Sequence, residues 1–105
     1  MEYIAKFDIK TVPHHAIVIA ATSDQDYSMD RTLIAENWPE YGDITVINGS
    51  HCSCYGFDDT KWEALTYNAK EFAEVVKGWK PAYDWQSGNS EVLAAPIAMR
   101  YFRIK

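Results

Sequence analysis

The chain has 105 residues, 48% apolar, 24% charged and 14% aromatic, enough for one domain with an ordinary core and no metal or disulfide staple. Ten Lys and Arg stand against fifteen Asp and Glu, a net charge of −5. That is the wrong sign for gripping a phosphate backbone and argues against nucleic acid as a direct partner. No stretch of about 18 uncharged apolar residues occurs, and the opening MEYIAKFDIK carries charges where a secretory leader needs an apolar run; a cytoplasmic protein without membrane contact is expected.

Tyr3, Ala5, Phe7 and Ile9 alternate with Ile4, Lys6, Asp8 and Lys10, the period of a strand with one buried face. Thr11, Val12 and Pro13 break it, because proline lacks the ladder donor, and a turn follows through His14 and His15. Residues 16–21, AIVIAA, form an apolar, β-branched run that predicts a central strand covered on both sides. Residues 22–30, dense in Asp and Ser, predict a polar loop. RTLIAE at 31–36 predicts a strand, Trp38 to Asp43 a turn, and residues 44–47 a second strand, so 31–48 is expected to be a hairpin ended by Asn48, Gly49 and Ser50.

Residues 51–59, HCSCYGFDD, show no period. Leu65, Ala69, Phe72, Ala73 and Val76 then make a one-sided stripe at helical spacing, with Thr66 to cap the start and Gly78 to end it; the spacing predicts a helix over 67–77 lying on the sheet. Residues 80–89 are expected to be a loop. Pro96 splits the last apolar segment, which predicts a closing edge strand over 97–104, with room for a short helix over 90–95. The expected fold is a single α+β domain over residues 1–105: a sheet of about four to five mostly antiparallel strands with one main helix on one face.

Cys52 and Cys54, one residue apart, cannot staple distant segments, which favours a reducing compartment. With His51 they offer soft ligands for a metal, but the spacing is too short for the usual zinc pair, and a further ligand would have to come from His14 or His15. A thiol nucleophile would need an imidazole within hydrogen-bond reach. The plainer alternative is a tight turn in which Cys acts as a small apolar group. Phosphate loops, nucleophile elbows and metalloprotease motifs are absent from the sequence, and no catalytic residue, metal or cofactor is assigned.

Charge layout is more informative. Between residues 24 and 63 nine acids face only Arg31 and Lys61, a balance of −7, while Arg100, Arg103 and Lys105 give the tail +3. Such sign separation steers a basic partner to one side of a molecule, although acidic loops also serve solubility alone. Tyr27, Trp38, Tyr41, Tyr55, Phe57 and Trp62 share these segments, and aromatic anchors inside a charged rim are common at interfaces; Trp62 and Trp79 are equally suited to the core. The expected partner-binding set is Asp24, Asp26, Tyr27, Asp30, Glu36, Trp38, Glu40, Tyr41, Asp43, Asp58 and Asp59.

The elements Asp26-Tyr27-Ser28-Met29-Asp30 and Gly49-Ser50-His51-Cys52-Ser53-Cys54 resemble those of small tailed-phage proteins that carry a Y-S-x-D element followed by G-S-x-C-S-C or G-C-S-C. The resemblance covers about the middle third of the chain and implies an origin rather than a reaction. By analogy with acidic anti-CRISPR proteins, it implies a non-enzymatic inhibitor of a host nucleic-acid-handling protein with a basic surface, acting in the cytoplasm of the infected cell. The alternatives are a metal- or thiol-dependent enzyme centred on His51, Cys52 and Cys54, and a phage structural module without a site. The oligomeric state stays open, a dimer included.

Overall fold

Strand-period alternation governs most of this chain, and the computed structural model, which describes residues 2–25, 28–52, 61–80 and 89–105, shows how far it reaches. β1 (Glu2–Phe7), β2 (Ile17–Gln25), β3 (Ser28–Glu36), β4 (Asp43–Cys52) and β5 (Trp62–Asn68) pair in the order β1-β5-β4-β3-β2, every pair antiparallel. From β2 to β5 each strand lies beside its sequence neighbour. α1 (Ala69–Lys77) and α2 (Ser90–Tyr101) complete the α+β domain.

The sheet buries residues on both faces. Under the helices lie Ile19, Ile34, Val46 and Leu65, a cross-strand row with Phe72 and Val76 of α1 and Ala94, Ala95 and Ala98 of α2 above it. Phe72 sits edge-on to Trp79 and Phe102, at centroid distances of 6.1 and 5.1 Å. On the opposite face Leu33, Ala35, Ile47, Trp62 and Ala64 are covered by Val12 and Ala16 from the β1–β2 connection, with Trp38 and Phe7 at the margin. An irregularity between Ile17 and Ile19 joins the two cores. Ile17 pairs with Ala35 and packs in the second, whereas Ile19 pairs with Ile34 and packs in the first, because a bulge reverses the alternation of side chains.

Several expectations are corrected. β1 is a strand, but an edge strand that leaves Tyr3 and Ile4 exposed. The apolar run at 16–21 belongs to an edge strand as well, not the sheet centre: one face meets α2 while Ala20 on the other is exposed. Residues 22–25 and 28–30 are ladder rather than loop, pairing Thr22 with Arg31 and Ser23 with Asp30. The 31–48 hairpin is present and continues past Asn48, Gly49 and Ser50 to Cys52. Its turn uses Asn37 at φ 55° and Gly42 at φ 91°, and the Gly42 N–H donates to Asn37 Oδ1 at 2.9 Å. A side chain at 42 would be strained there.

The expected 67–77 helix starts at Ala69. Leu65 and Tyr67 satisfy strand period as well as helix period and go into β5, and Asn68, not Thr66, caps the helix: its Oδ1 accepts from Glu71 N at 2.8 Å while Glu71 Oε1 accepts from Asn68 N at 3.0 Å. Gly78 ends it as expected. The expected 97–104 strand is wrong. Asn89 caps a helix by accepting from Val92 N at 2.8 Å, and that helix runs through Pro96, whose side is exposed, so that Ala94, Ala95 and Ala98 lie close on the sheet. The irregular segment expected over 51–59 and the loop over 80–89 lie mostly outside the described residues.

Candidate binding site at the polar end of the sheet

Along the helix-covered face the cross-strand rows change chemistry abruptly. The row Ile19–Ile34–Val46–Leu65 is apolar; one step further, Thr32, Asn48 and Glu63 stand abreast on β3, β4 and β5, and beyond them Asp30 is opposite Ser50. The first turn of α2 lies over these polar rows. Thr32 Oγ1 donates to Asn48 Oδ1 at 2.6 Å and is 2.7 Å from Ser90 Oγ, which must therefore be its donor. Thr32 and Ser90 are buried, and both hydroxyls are satisfied. Asp30 Oδ2 accepts from Ser90 N at 2.8 Å, a carboxylate at a helix N-terminus where backbone N–H groups lack partners.

This lattice of bonds braces a cleft of about 340 Å³ lined by Asp30, Asn48, Ser50, Lys61, Glu63 and Glu91 among others. Burial pushes the Glu91 carboxyl above its ordinary value, against the lowering effect of a long 3.4 Å hydrogen bond from Asn48 Nδ2, and the charges of Glu63 and Asp30 push it the same way. Glu63 Oε2 accepts from Tyr3 Oη at 2.7 Å, and that bond raises the tyrosine pKa. Three carboxylates thus share one concavity with one lysine.

The expected partner-binding residues divide between two ends of the sheet. Asp24 and Asp30 belong to the end that holds the cleft, where β2 leads into β3. Glu36, Trp38, Glu40, Tyr41 and Asp43 belong to the opposite end, about 20 Å away along β3. Glu36 accepts from Tyr101 at 2.8 Å, Asp43 accepts from Glu40 N within the turn, and Trp38 packs against Phe7 with centroids 5.7 Å apart. Tyr41 is 94% exposed. Asp26, Tyr27, Asp58 and Asp59 lie outside the described residues. Trp62 is buried and Trp79 packs on Phe72, as core residues. α2 ends beside Glu36, which puts Arg100 and Arg103 at that end too.

Of the cleft residues only Asp30 belongs to the expected set; Asn48, Ser50, Lys61, Glu63, Ser90 and Glu91 do not. Asn48 had been read as a turn residue, and Glu91 becomes legible only once Asn89 is taken as a helix cap with an acid in the first turn. For the enzyme alternative, the register is informative. His51 pairs with Met29, which pairs with Asp24, whereas His14 and His15 precede the far end of β2. The separation is about 20 Å or more, so neither histidine reaches Cys52. Among the described residues no group of three or more His, Cys, Asp or Glu is placed to hold a metal, and no helix is long and apolar enough to cross a membrane. No protein family, curated protein or solved structure matches the chain.

Proposed function

We propose that this protein is a phage-type binding protein that inhibits a host nucleic-acid-handling protein by docking its cleft end on a basic surface of that protein. The observation that carries the reading is the under-compensated charge of the cleft. Asp30, Glu63 and Glu91 line it with a single lysine, Lys61, and Glu91 is held above its ordinary pKa. An arginine or lysine side chain entering there would relieve that cost and find carboxylate and amide acceptors already in place. The bonds among Thr32, Asn48, Ser90 and Asp30 fix the walls before a partner arrives, which limits the ordering entropy of binding. Arg100 and Arg103 at the other end orient the molecule in the field of a basic partner.

The test is capture from a host lysate by the immobilised wild-type chain and by a Glu63→Gln/Glu91→Gln variant, at low and high salt. A captured protein that handles nucleic acid, loses its cleavage or binding activity in the complex, and is released by salt and by the double substitution supports the reading. Equal capture by the variant overturns it.

A further inference from the structure

We infer that docking at the cleft is proton-coupled: an arginine or lysine side chain that enters displaces one proton from Glu91 into solvent, and acid therefore releases the partner. This coupling rests on the docking reading, and its physical ground is the way the three cleft carboxylates are held. Asp30 Oδ2 accepts from Ser90 N at 2.8 Å, and Glu63 Oε2 accepts from Tyr3 Oη at 2.7 Å on an exposed side chain. Glu91 is half-buried, and its one bond among the described residues is the 3.4 Å contact from Asn48 Nδ2. Asn48 Oδ1 in turn accepts from the Thr32 hydroxyl, whose other partner is Ser90, and this fixes the amide where it is.

The groups around Glu91 bring charge mostly of one sign. Asp30 from β3 and Glu63 from β5 both push its carboxyl toward the protonated form, as burial does. β5 also brings Lys61, which lines the cleft, and Tyr67, whose phenol feels both Glu91 and, from α1, Glu71. β4 contributes Asn48, and β2 the buried Ser23 opposite Asp30; neither ionises. Three carboxylates in one concavity with a single lysine repel one another when all are ionised, so the set as a whole takes up a proton. Burial and the poorest hydrogen bond assign that proton to Glu91.

In the empty cleft the Glu91 carboxyl is thus neutral over a pH range in which an exposed carboxylate is ionised. A guanidinium or ammonium supplies what the walls lack, a charge-assisted donor beside Glu91. The carboxyl O–H then breaks, its electron pair stays on the glutamate oxygen, and the proton passes to water or buffer. The entering cation keeps its own protons, because such groups titrate far higher. Affinity rises with pH by up to about tenfold per unit below the free-cleft value of Glu91 and levels off above it. A surface attraction without this carboxyl would respond to salt but not to pH in that range.

Calorimetric titration of the full chain with a short arginine-rich peptide, in two buffers of different ionisation heat and from mildly acidic to neutral pH, tests the inference. The wild type is expected to release up to about one proton per peptide bound in mild acid and none near neutrality, with affinity rising between the two. Glu91→Gln is expected to bind more weakly, to release no proton and to lose the pH dependence. Carbon-detected titration of the wild-type carboxyls reads the same step without a substitution: in mild acid the Glu91 signal should move to its ionised position when peptide is added. Binding by the wild type without proton release, a Glu91 signal that stays put, or equal release by Glu91→Gln overturns the coupling and leaves docking intact. Absence of binding at every pH overturns the docking reading and the coupling with it.

Discussion

The two ends of the helix-covered face are built by the same strands and differ by one step in register. At one end Ile34 and Val46 lie under Phe72 with no polar atom to satisfy; at the other Thr32 and Asn48 need each other and Ser90. The apolar end is held by volume, and the polar end by bonds whose partners must all be present. Stability and the proposed docking are therefore separable along a single strand.

The sharpest way to break that separation is Phe72→Ala. Phe72 is wholly buried, so its truncation should cost about 3 to 5 kcal/mol, read by denaturant unfolding. Basic-ligand affinity under native conditions should stay as it was; a loss of affinity in folded protein would mean that the two ends are not independent. Next in size is Thr32→Val, nearly isosteric, which strands Asn48 Oδ1 and the buried Ser90 hydroxyl. A cost of about 1 to 3 kcal/mol is expected, together with weaker binding as the cleft wall loosens.

A smaller effect has the opposite sign. The folded chain holds the Glu91 proton more tightly than the unfolded chain does, so the group favours folding below the raised folded value and loses that contribution as pH rises through it. Glu91→Gln removes the cost of ionisation. It should raise Tm at neutral pH, leave it nearly unchanged in acid where wild-type Glu91 is protonated in both states, and weaken basic-ligand binding; thermal scans across pH read the first two. A lower Tm at neutral pH would show that the carboxylate is a net stabiliser of the cleft. Smaller still is the capping pair at α1, at the apolar end. The Asn68 N–H holds the Glu71 carboxyl below its ordinary value, so Glu71→Ala should lower stability near neutrality and lose its effect as pH falls through that depressed value.

What the sequence made legible follows the same division. RTLIAE and the β-branched run after Asp43 announced their hairpin because alternation and a turn agree there. Thr22, Ser23 and Asp30 are expected in a loop because they are polar, yet polarity marks one end of the strands, where Ser23 is buried, Asp30 meets an α2 N–H and Arg31 Nε donates to Thr22 at 2.9 Å. AIVIAA could not distinguish a central strand from an edge strand: a bulge between Ile17 and Ile19 sends neighbouring side chains to different cores, while Ala20 stays exposed. Pro96 hid α2: a proline on the exposed side of a helix costs a hydrogen bond and a bend without ending it when the alanines beneath it gain a sheet to pack on. The acids were legible as a charge imbalance but not as a site, because Glu36 and Asp30 are close in sequence and at opposite ends of β3.

The most direct measurement of the central claim is an amide-shift titration of the wild-type chain with a short arginine-rich peptide, repeated at raised salt. Shifts clustered at Asn48, Ser50, Glu63 and Glu91, absent from residues 36 to 44 and abolished by salt, are the predicted result. Shifts centred on the Glu36–Asp43 turn, or none at the cleft, would contradict it.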